Sequence, residues 1–306
     1  MAKLKVGIVG GAGYTGGELI RILINHPNAD IAFIHSKSNA GNSVAQVHPD
    51  LAGETGLQFT GELSQDIDVL FLCVGHGEAK KFMDANTIDA KIKVIDLSQD
   101  FRLKNSSKHG EREFVYGLPE LNKAEIKKAK NIANPGCFAT SIELGLLPLA
   151  KAGVLNDVYT TGITGSTGAG QSLSPSSHFS WRANNIQAYK TLTHQHTKEI
   201  AQSLNQLQSS FTSPSKLSFV PWRGDFTRGI FISSQLDCEM GEKELNELFH
   251  EYYKGNPFVH VIPDGIFLKQ VVNTNKCLIQ LEKIGSKLVI HSIIDNLLKG
   301  ASGQAV

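Results

Sequence analysis

Leu4-Lys-Val-Gly-Ile-Val-Gly-Gly-Ala-Gly-Tyr-Thr-Gly16 is the stretch whose reading decides the fold. Leu4–Val9 is a short apolar run with the character of a buried strand, and Glu18–His26 is helical in pattern and ended by Pro27. Between them lies Gly11-x-Gly13-x-x-Gly16, in the strand–turn–helix setting that a dinucleotide fingerprint requires. Glycines there let the backbone turn tightly and approach a pyrophosphate at a helix N-terminus. Gly10, Gly11, Gly13, Tyr14, Thr15 and Gly16 are therefore the expected cofactor-binding residues. The competing reading is a tight loop without a ligand. The next strand, Ile31–His35, runs into Ser36-Lys37-Ser38. An NAD site commonly carries an acid at this point, to bind the ribose hydroxyls. Two hydroxyls and a lysine suit a 2′-phosphate instead, which points to NADP; the competing reading of Lys37 is a solvated loop lysine.

Working outward, Val69–Val74 and Lys93–Leu97 read as further buried strands, with a crossover helix over Glu78–Asn86. Apolar strands alternating with helices predict a parallel, doubly wound α/β sheet of Rossmann type. Gly75 then falls at the C-terminal end of a strand, where such sheets bind ligands. Cys73, inside an apolar strand, is expected in the core. Asn122-x-x-Glu125 has the form of a capping box for a short basic helix. From Asp157 the pattern changes. Strands are predicted over Val158–Gly165, Leu217–Val220, Gly229–Leu236, Lys276–Lys283 and Lys287–Ile294, with a hairpin at Gly285-Ser286 and a helix over Gly241–Lys254. That combination predicts an α+β domain built on a mixed or antiparallel sheet. The expected division is a nucleotide domain over 1–147, rejoined by 296–306, and a second domain over 148–295.

The chain has 306 residues, a hydrophobic content of 41%, and 30 basic against 29 acidic residues. A near-neutral balance gives no reason to expect nucleic acid. Cys73, Cys137, Cys238 and Cys277 are widely spaced and form no Cys-x-x-Cys pair, which fits free thiols in a reducing cytoplasm. The start of the chain runs directly into a strand pattern with no signal-peptide core, and no apolar run reaches membrane-spanning length.

The chemistry concentrates in Asn131-Ile-Ala-Asn-Pro-Gly-Cys-Phe-Ala-Thr140. Cys137 follows a Pro-Gly turn and opens an apolar helical run to Leu149. Unpaired amides and the positive end of the helix dipole favour a thiolate there, the reacting form of a cysteine nucleophile. The competing reading is a small buried hydrophobe. Thr193-His194-Gln-His196-Thr-Lys-Glu199 supplies two imidazoles for proton transfer, and Glu199 would orient one of them or cap the helix that follows. If the segment is extended, both rings point the same way. No further ligands stand at metal spacing, so no metal site is expected. Arg102, in Asp96-Leu-Ser-Gln-Asp-Phe-Arg102, would clamp an anionic group. The amides and hydroxyls of Gly165-Ser166-Thr167-Gly168-Ala-Gly170 also suit an anion, although the loop reads equally well as a flexible connection.

Together with Asp295-Asn-Leu-Leu-Lys-Gly300, these motifs resemble the N-acetyl-γ-glutamyl-phosphate reductase family, in the aspartate-semialdehyde dehydrogenase-like superfamily, over essentially the whole chain. Gln195 and Lys198 depart from the family's usual Arg and Pro, and Ser141 stands where Ala or Gly is common. The family's last segment continues past Val306, which implies a truncated chain. The resemblance implies NADPH-dependent reduction of an acyl phosphate to an aldehyde in arginine biosynthesis. Cys137 would form a thioester, His196 (or, as second choice, His194) would carry the proton, and Arg102, Ser166, Thr167, Gly168 and Glu199 would hold the substrate. It also implies that Asn296 contacts the cofactor and that the enzyme is a homotetramer. The blocking group is left open between acetyl, succinyl and others. The rival from another class is a non-catalytic NADP-binding sensor, which an NADPH consumption assay separates.

Overall fold

The computed structural model describes residues 2–212 and 216–306. The chain forms two compact units, Met1–Pro135 with Ala301–Val306, and Gly136–Gly300.

In the first unit the strands are β1 (Leu4–Val9), β2 (Ala29–His35), β3 (Phe59–Thr60), β4 (Val69–Leu72), β5 (Lys93–Asp96), β6 (Lys108–His109), β7 (Arg112–Tyr116) and β8 (Asn131–Ala133). Their order is β3-β2-β1-β4-β5-β8-β7-β6. The pairs from β3 to β7 are parallel, and only β6 joins antiparallel. Continuous apolar strands follow from burial on both faces. In β4, Leu70 and Leu72 enter one hydrophobic cluster with Val9, Phe33 and Met83, while Val69 and Phe71 enter another with Ile8, Leu19 and Phe59. The order reverses direction at β1, so the C-terminal ends of β1 and β4 flank the switch point where nucleotide ligands bind in such sheets. The basic helix runs Pro119–Lys128, with proline in its first turn, and Asn122 is a kink inside it (φ −119°, ψ 29°) rather than its cap. The Asn122 amide is drawn away to donate to the Tyr116 carbonyl at 3.0 Å.

The second unit holds β9 (Val158–Thr164), β10 (Gln187–Ala188), β11 (Leu217–Arg223), β12 (Ile230–Asp237), β13 (Val259–Val261), β14 (Cys277–Ile284) and β15 (Lys287–Ile294), in the order β10-β11-β9-β12-β15-β14-β13. The sheet is mixed: β9–β11 and β13–β14 are parallel and the other neighbours antiparallel. Ile284 pairs with Lys287, so Gly285-Ser286 is a two-residue hairpin loop, with Gly285 at φ 58° as the tight turn requires. The helix Cys137–Ala152 is buried from Phe138 to Ala150. Small residues let it lie close to the sheet: Ser141 Oγ donates to the Ser292 carbonyl at 3.1 Å, and Gly145 faces Ile290. Pro148 lacks the N–H that would bond the Leu144 carbonyl. The Tyr253 hydroxyl, from the helix Glu242–Tyr253, takes that role.

The sequence reading placed the domain boundary at 147–148. The structure divides the chain at Pro135–Gly136, because the helix that Cys137 opens packs on the second sheet throughout and a cut at 147 would split it.

Candidate active site

In the second unit, Gly136 is the N-cap of the Cys137 helix (φ −71°, ψ 149°) and Cys137 is its first residue. A glycine has no side chain to cap with. Its own N–H donates to Glu199 Oε2 at 3.0 Å. Cys137 is half-buried, whereas Cys73, Cys238 and Cys277 are buried, so it is the thiol that combines a helix start with access. Cys73 is inert by comparison: burial, reinforced by the charge of Asp96, pushes its pKa up to about 12.

His196 opens the helix His196–Leu207. Its ring lies against the Gly136 backbone, so closely that a Cβ at Gly136 would run into it. Glu199 Oε1, one turn on, is 3.9 Å from His196 Nε2. One carboxylate thus fixes the turn before the cysteine and faces the imidazole beside it. His194, 3% exposed, is ringed by Phe138, Tyr189 and Phe219 at centroid distances of 5.5, 5.7 and 5.6 Å. Its Nδ1 accepts the His196 N–H at 3.3 Å, which leaves Nε2 to carry the proton of a neutral ring. The expectation of an extended His-x-His segment is corrected: Gln195 is already helical (φ −58°, ψ −30°). The rings nonetheless converge, 4.6 Å apart, because a helix start turns both toward Phe138. Glu199, expected to hold substrate, is buried and engaged with Gly136 instead.

Two further expectations change. The amides of Ser166, Thr167 and Gly168 bond the carbonyls of Phe226, Thr227 and Gly165, so this loop is not an open nest of donors. Asn296, expected at the cofactor, donates to Thr167 Oγ1 at 3.0 Å and accepts the Gly229 N–H at 2.7 Å, tying the same loop down. Its neighbour Asp295 is fully buried, with a two-point bond to Arg228 at 3.0 and 3.1 Å. This pair anchors the turn that brings Gly300 against Cys137, where a Cβ would sit 2.9 Å from the cysteine's own.

In the first unit, each fingerprint glycine has a distinct cause. Gly10 has φ +80°, and a Cβ on Gly16 would lie 2.5 Å from the Gly10 carbonyl oxygen. A Cβ on Gly11 would strike Ile34. A Cβ on Gly13 would meet only the Gly10 carbonyl oxygen, at 3.6 Å, an ordinary contact. Gly13 caps the helix Tyr14–Leu23 without a side chain, and the first turn holds no acid. These residues fit a dinucleotide's pyrophosphate. At the end of β2, Ser36 and Ser38 each accept a hydrogen bond from Asn39, and Lys37 is exposed. Gly75 is exposed beyond β4.

Arg102 is 4% exposed, and two of its nitrogens are held by backbone carbonyls. Nε donates to the Asn134 carbonyl at 2.8 Å and Nη2 to the Leu97 carbonyl at 2.9 Å. Its loop is pinned by Asp96, whose carboxylate accepts the Ser98 N–H and hydroxyl at 3.0 and 2.8 Å. Burial outweighs those bonds and pushes Asp96 up to about 6. Asp100 accepts the N–H groups of Gly77 and Lys80 at 2.7 and 3.1 Å, capping the helix Glu78–Ala85.

Sequence reasoning missed Tyr189, Arg228, Asp295 and the crowding glycines 136 and 300. Asp295 and the two glycines lie inside motifs already singled out, whereas Tyr189 and Arg228 gave no signal. Among the described residues, no group of three or more His, Cys, Asp or Glu could hold a metal ion, and no helix is long and apolar enough to cross a membrane.

The family description "Semialdehyde dehydrogenase, NAD binding domain" matches residues 5–129, and "Semialdehyde dehydrogenase, dimerisation domain" matches residues 137–296. N-acetyl-gamma-glutamyl-phosphate reductases from Phocaeicola vulgatus and Flavobacterium johnsoniae are 57% and 53% identical, each alignment covering 99% of this chain and 93% of the relative. Among solved structures, aspartate semialdehyde dehydrogenase II of Vibrio cholerae has a TM-score of 0.75 at 15% identity, covering 100% of this chain and 96% of that one. The aspartate semialdehyde dehydrogenase of Candida albicans, solved with NADP, has a TM-score of 0.70 at 16% identity, covering 99% of this chain and 96% of that one. These two show a shared fold. By its match to the reductases along nearly its whole length, the chain belongs to the N-acetyl-gamma-glutamyl-phosphate reductase family of semialdehyde dehydrogenases.

Proposed function

We propose that the protein reduces N-acetyl-L-glutamyl 5-phosphate, with NADPH, to N-acetyl-L-glutamate 5-semialdehyde and phosphate. The observation that carries this reading is Cys137, half-buried at the first position of a helix, with His196 and Glu199 packed on the glycine before it. The Cys137 thiolate attacks the acyl carbonyl, the C–O bond to phosphate breaks, and a thioester remains on the sulfur. NADPH, when bound, supplies the hydride for reduction. His196 would lend a proton to the oxygen of the hemithioacetal on Cys137 and take it back as the C–S bond breaks, which frees the semialdehyde and returns Cys137 as a thiolate; Glu199 keeps the ring facing the helix start. His194 positions His196 through its bond to the His196 N–H. Arg102, locked by two carbonyls, offers a preorganised guanidinium to the leaving phosphate. Ser166 would assist with its hydroxyl, while Thr167, whose hydroxyl donates to the Thr227 carbonyl at 2.7 Å, and Gly168 would shape the loop beside it.

The unit Met1–Pro135 with Ala301–Val306 would hold the cofactor, through Gly10, Gly11, Gly13, Tyr14, Thr15, Gly16 and Gly75. Ser36, Lys37 and Ser38 would take the 2′-phosphate. The unit Gly136–Gly300 would carry the chemistry and the contacts between subunits, building a homotetramer in the cytoplasm. The test is NADPH oxidation with N-acetyl-, N-succinyl- and unblocked glutamyl phosphate. Turnover of the acetylated substrate above the others supports the reading; binding of NADPH without oxidation by any of them would make the protein a sensor.

A further inference from the structure

Two arginines of the second unit, Arg182 and Arg223, line one cavity. Arg182 ends the short helix Phe179–Arg182 and Arg223 ends β11, and both line one small cavity with Ser176, Trp181, Asn185 and Gln187. Arg182 Nη2 donates to the Gly224 carbonyl, and Arg223 Nη1 to Ser176 Oγ at 2.8 Å. Among the described residues no carboxylate lies within ion-pair reach of either guanidinium. Asp225 acts on Arg182 only through space, and its Oδ2 accepts the Asn184 N–H at 2.6 Å. Burial first, then the charge of Arg223, lowers the Arg182 pKa, as expected of like charges held together.

The pair lies one aromatic ring from the His194 imidazole. The Arg223 guanidinium carbon sits 4.4 Å from the centroid of the Tyr189 ring. That ring packs edge-on to His194, 5.7 Å away. Burial, and after it the charge of a Cys137 thiolate, raises the Tyr189 pKa, while Arg223 opposes them. The segment carrying Tyr189 is also strained: Asn184, Lys190 and Leu192 are left-handed, at φ 56°, 46° and 58°. Such outliers persist where surrounding structure holds them and gather at ligand sites.

Resting on the reaction proposed above, we propose that Arg182 and Arg223 form a two-pronged site for a carboxylate of the substrate, distinct from the group that takes the phosphate. An N-acylated glutamyl phosphate carries its reacting carbonyl at one end of the glutamyl chain and a carboxylate at the other, as this arrangement requires. The site selects such substrates over simple acyl phosphates. The carboxylate has two possible sources, the glutamyl α-carboxylate or a second one on the N-acyl group.

Steady-state kinetics of the wild type, Arg182→Ala, Arg223→Ala and Arg223→Lys on N-acetylglutamyl, N-succinylglutamyl and butyryl phosphate test it. Each alanine variant should lower the kcat/KM ratio of glutamyl over butyryl phosphate by about 30-fold or more, mainly through KM. Arg223→Lys keeps the charge but loses the fork, so it should fall between. Equal losses on the acetyl and succinyl substrates assign the α-carboxylate; a loss confined to the succinyl substrate assigns the acyl group's. An unchanged ratio in all three variants overturns the site. Absence of wild-type turnover on every acyl phosphate overturns the underlying reaction, and the site with it.

Discussion

The glycine loop of the first unit and the cysteine turn of the second are built by opposite means. At Gly10–Gly16 the structure removes side chains: Gly10 needs a left-handed φ, Gly11 and Gly16 have no room for a Cβ, and only at Gly13 would a Cβ meet no more than an ordinary contact. What remains is a tight backbone turn, its Gly10 and Gly13 amides donating to the carbonyls of His35 and Gly10, that opens the helix Tyr14–Leu23. At Gly136-Cys137 the structure crowds side chains together: the His196 ring on Gly136, Gly300 on Cys137, Glu199 on the Gly136 amide, and aromatic rings around His194. The difference teaches that a binding loop tolerates change in its surroundings as long as its glycines stay, whereas the reacting turn depends on groups far apart in the chain. Substitutions in the two regions should therefore fail differently, one in affinity and the other in rate.

The largest effect falls on the cysteine. Cys137→Ser should lower kcat by about 1,000-fold or more, since an unactivated hydroxyl is a far weaker nucleophile. Folding and NADPH binding should be unchanged. A variant with more than about a tenth of wild-type kcat, a loss under roughly 1.4 kcal/mol in the barrier, would end the case for covalent catalysis.

Next come the imidazoles. His196→Ala should lower kcat by about 100-fold, the usual scale for a general acid–base. His194→Ala should lower kcat by a smaller factor, about 10-fold, because its ring is enclosed by Phe138, Tyr189 and Phe219 and acts only by positioning His196 through its backbone N–H. The reverse outcome in the same pair of assays would exchange their roles.

The glycine region responds in specificity. Lys37→Glu should move the kcat/KM ratio from NADPH toward NADH by about 10-fold or more, since an acid there repels a 2′-phosphate and suits ribose hydroxyls. An unmoved ratio would make Lys37 a solvated lysine.

What could be read in advance follows the same divide. The doubly wound sheet was legible because its strands are buried on both faces and its glycines are fixed by local geometry, both written contiguously from Leu4 to Gly16. The mixed sheet was legible from Ile284 and Lys287 flanking a two-residue turn. Cys137, His194 and His196 were legible as residue types, since few other positions offer that chemistry. Their surroundings were not. The Glu199–Gly136 bond spans 63 residues and the Arg228–Asp295 pair 67, and no periodicity encodes either. A lone sequence marks Arg102 and Asn296 as ligand candidates but does not show the protein partners each also has, the carbonyls of Leu97 and Asn134 for the one, Thr167 and Gly229 for the other. The helix that Cys137 opens was legible, but the domain boundary fell inside it, at 147–148, because an apolar helix reads alike whichever sheet it covers.

The smallest effect concerns stability. Burial raises the Asp96 pKa to about 6 from a model-compound value of 3.8. The folded state therefore holds this proton over a range where the unfolded chain has lost it. The stabilisation is fully present below about pH 4 and is lost as pH rises through about 6, a change of the order of 2–3 kcal/mol. Asp96→Asn should flatten that segment of the stability–pH curve measured by denaturant unfolding. An unaltered curve would mean that Asp96 is ionised at its ordinary pKa.

The central claim is that Cys137 is acylated before any hydride moves. Incubating the protein with N-acetylglutamyl phosphate in the absence of NADPH, then measuring intact and peptide masses, tests it most directly. The account predicts one acyl group per chain, on the peptide bearing Cys137, with release of an equal amount of phosphate and no adduct on Cys137→Ser. Phosphate release without an adduct, or an adduct on Cys73, Cys238 or Cys277 alone, would contradict it.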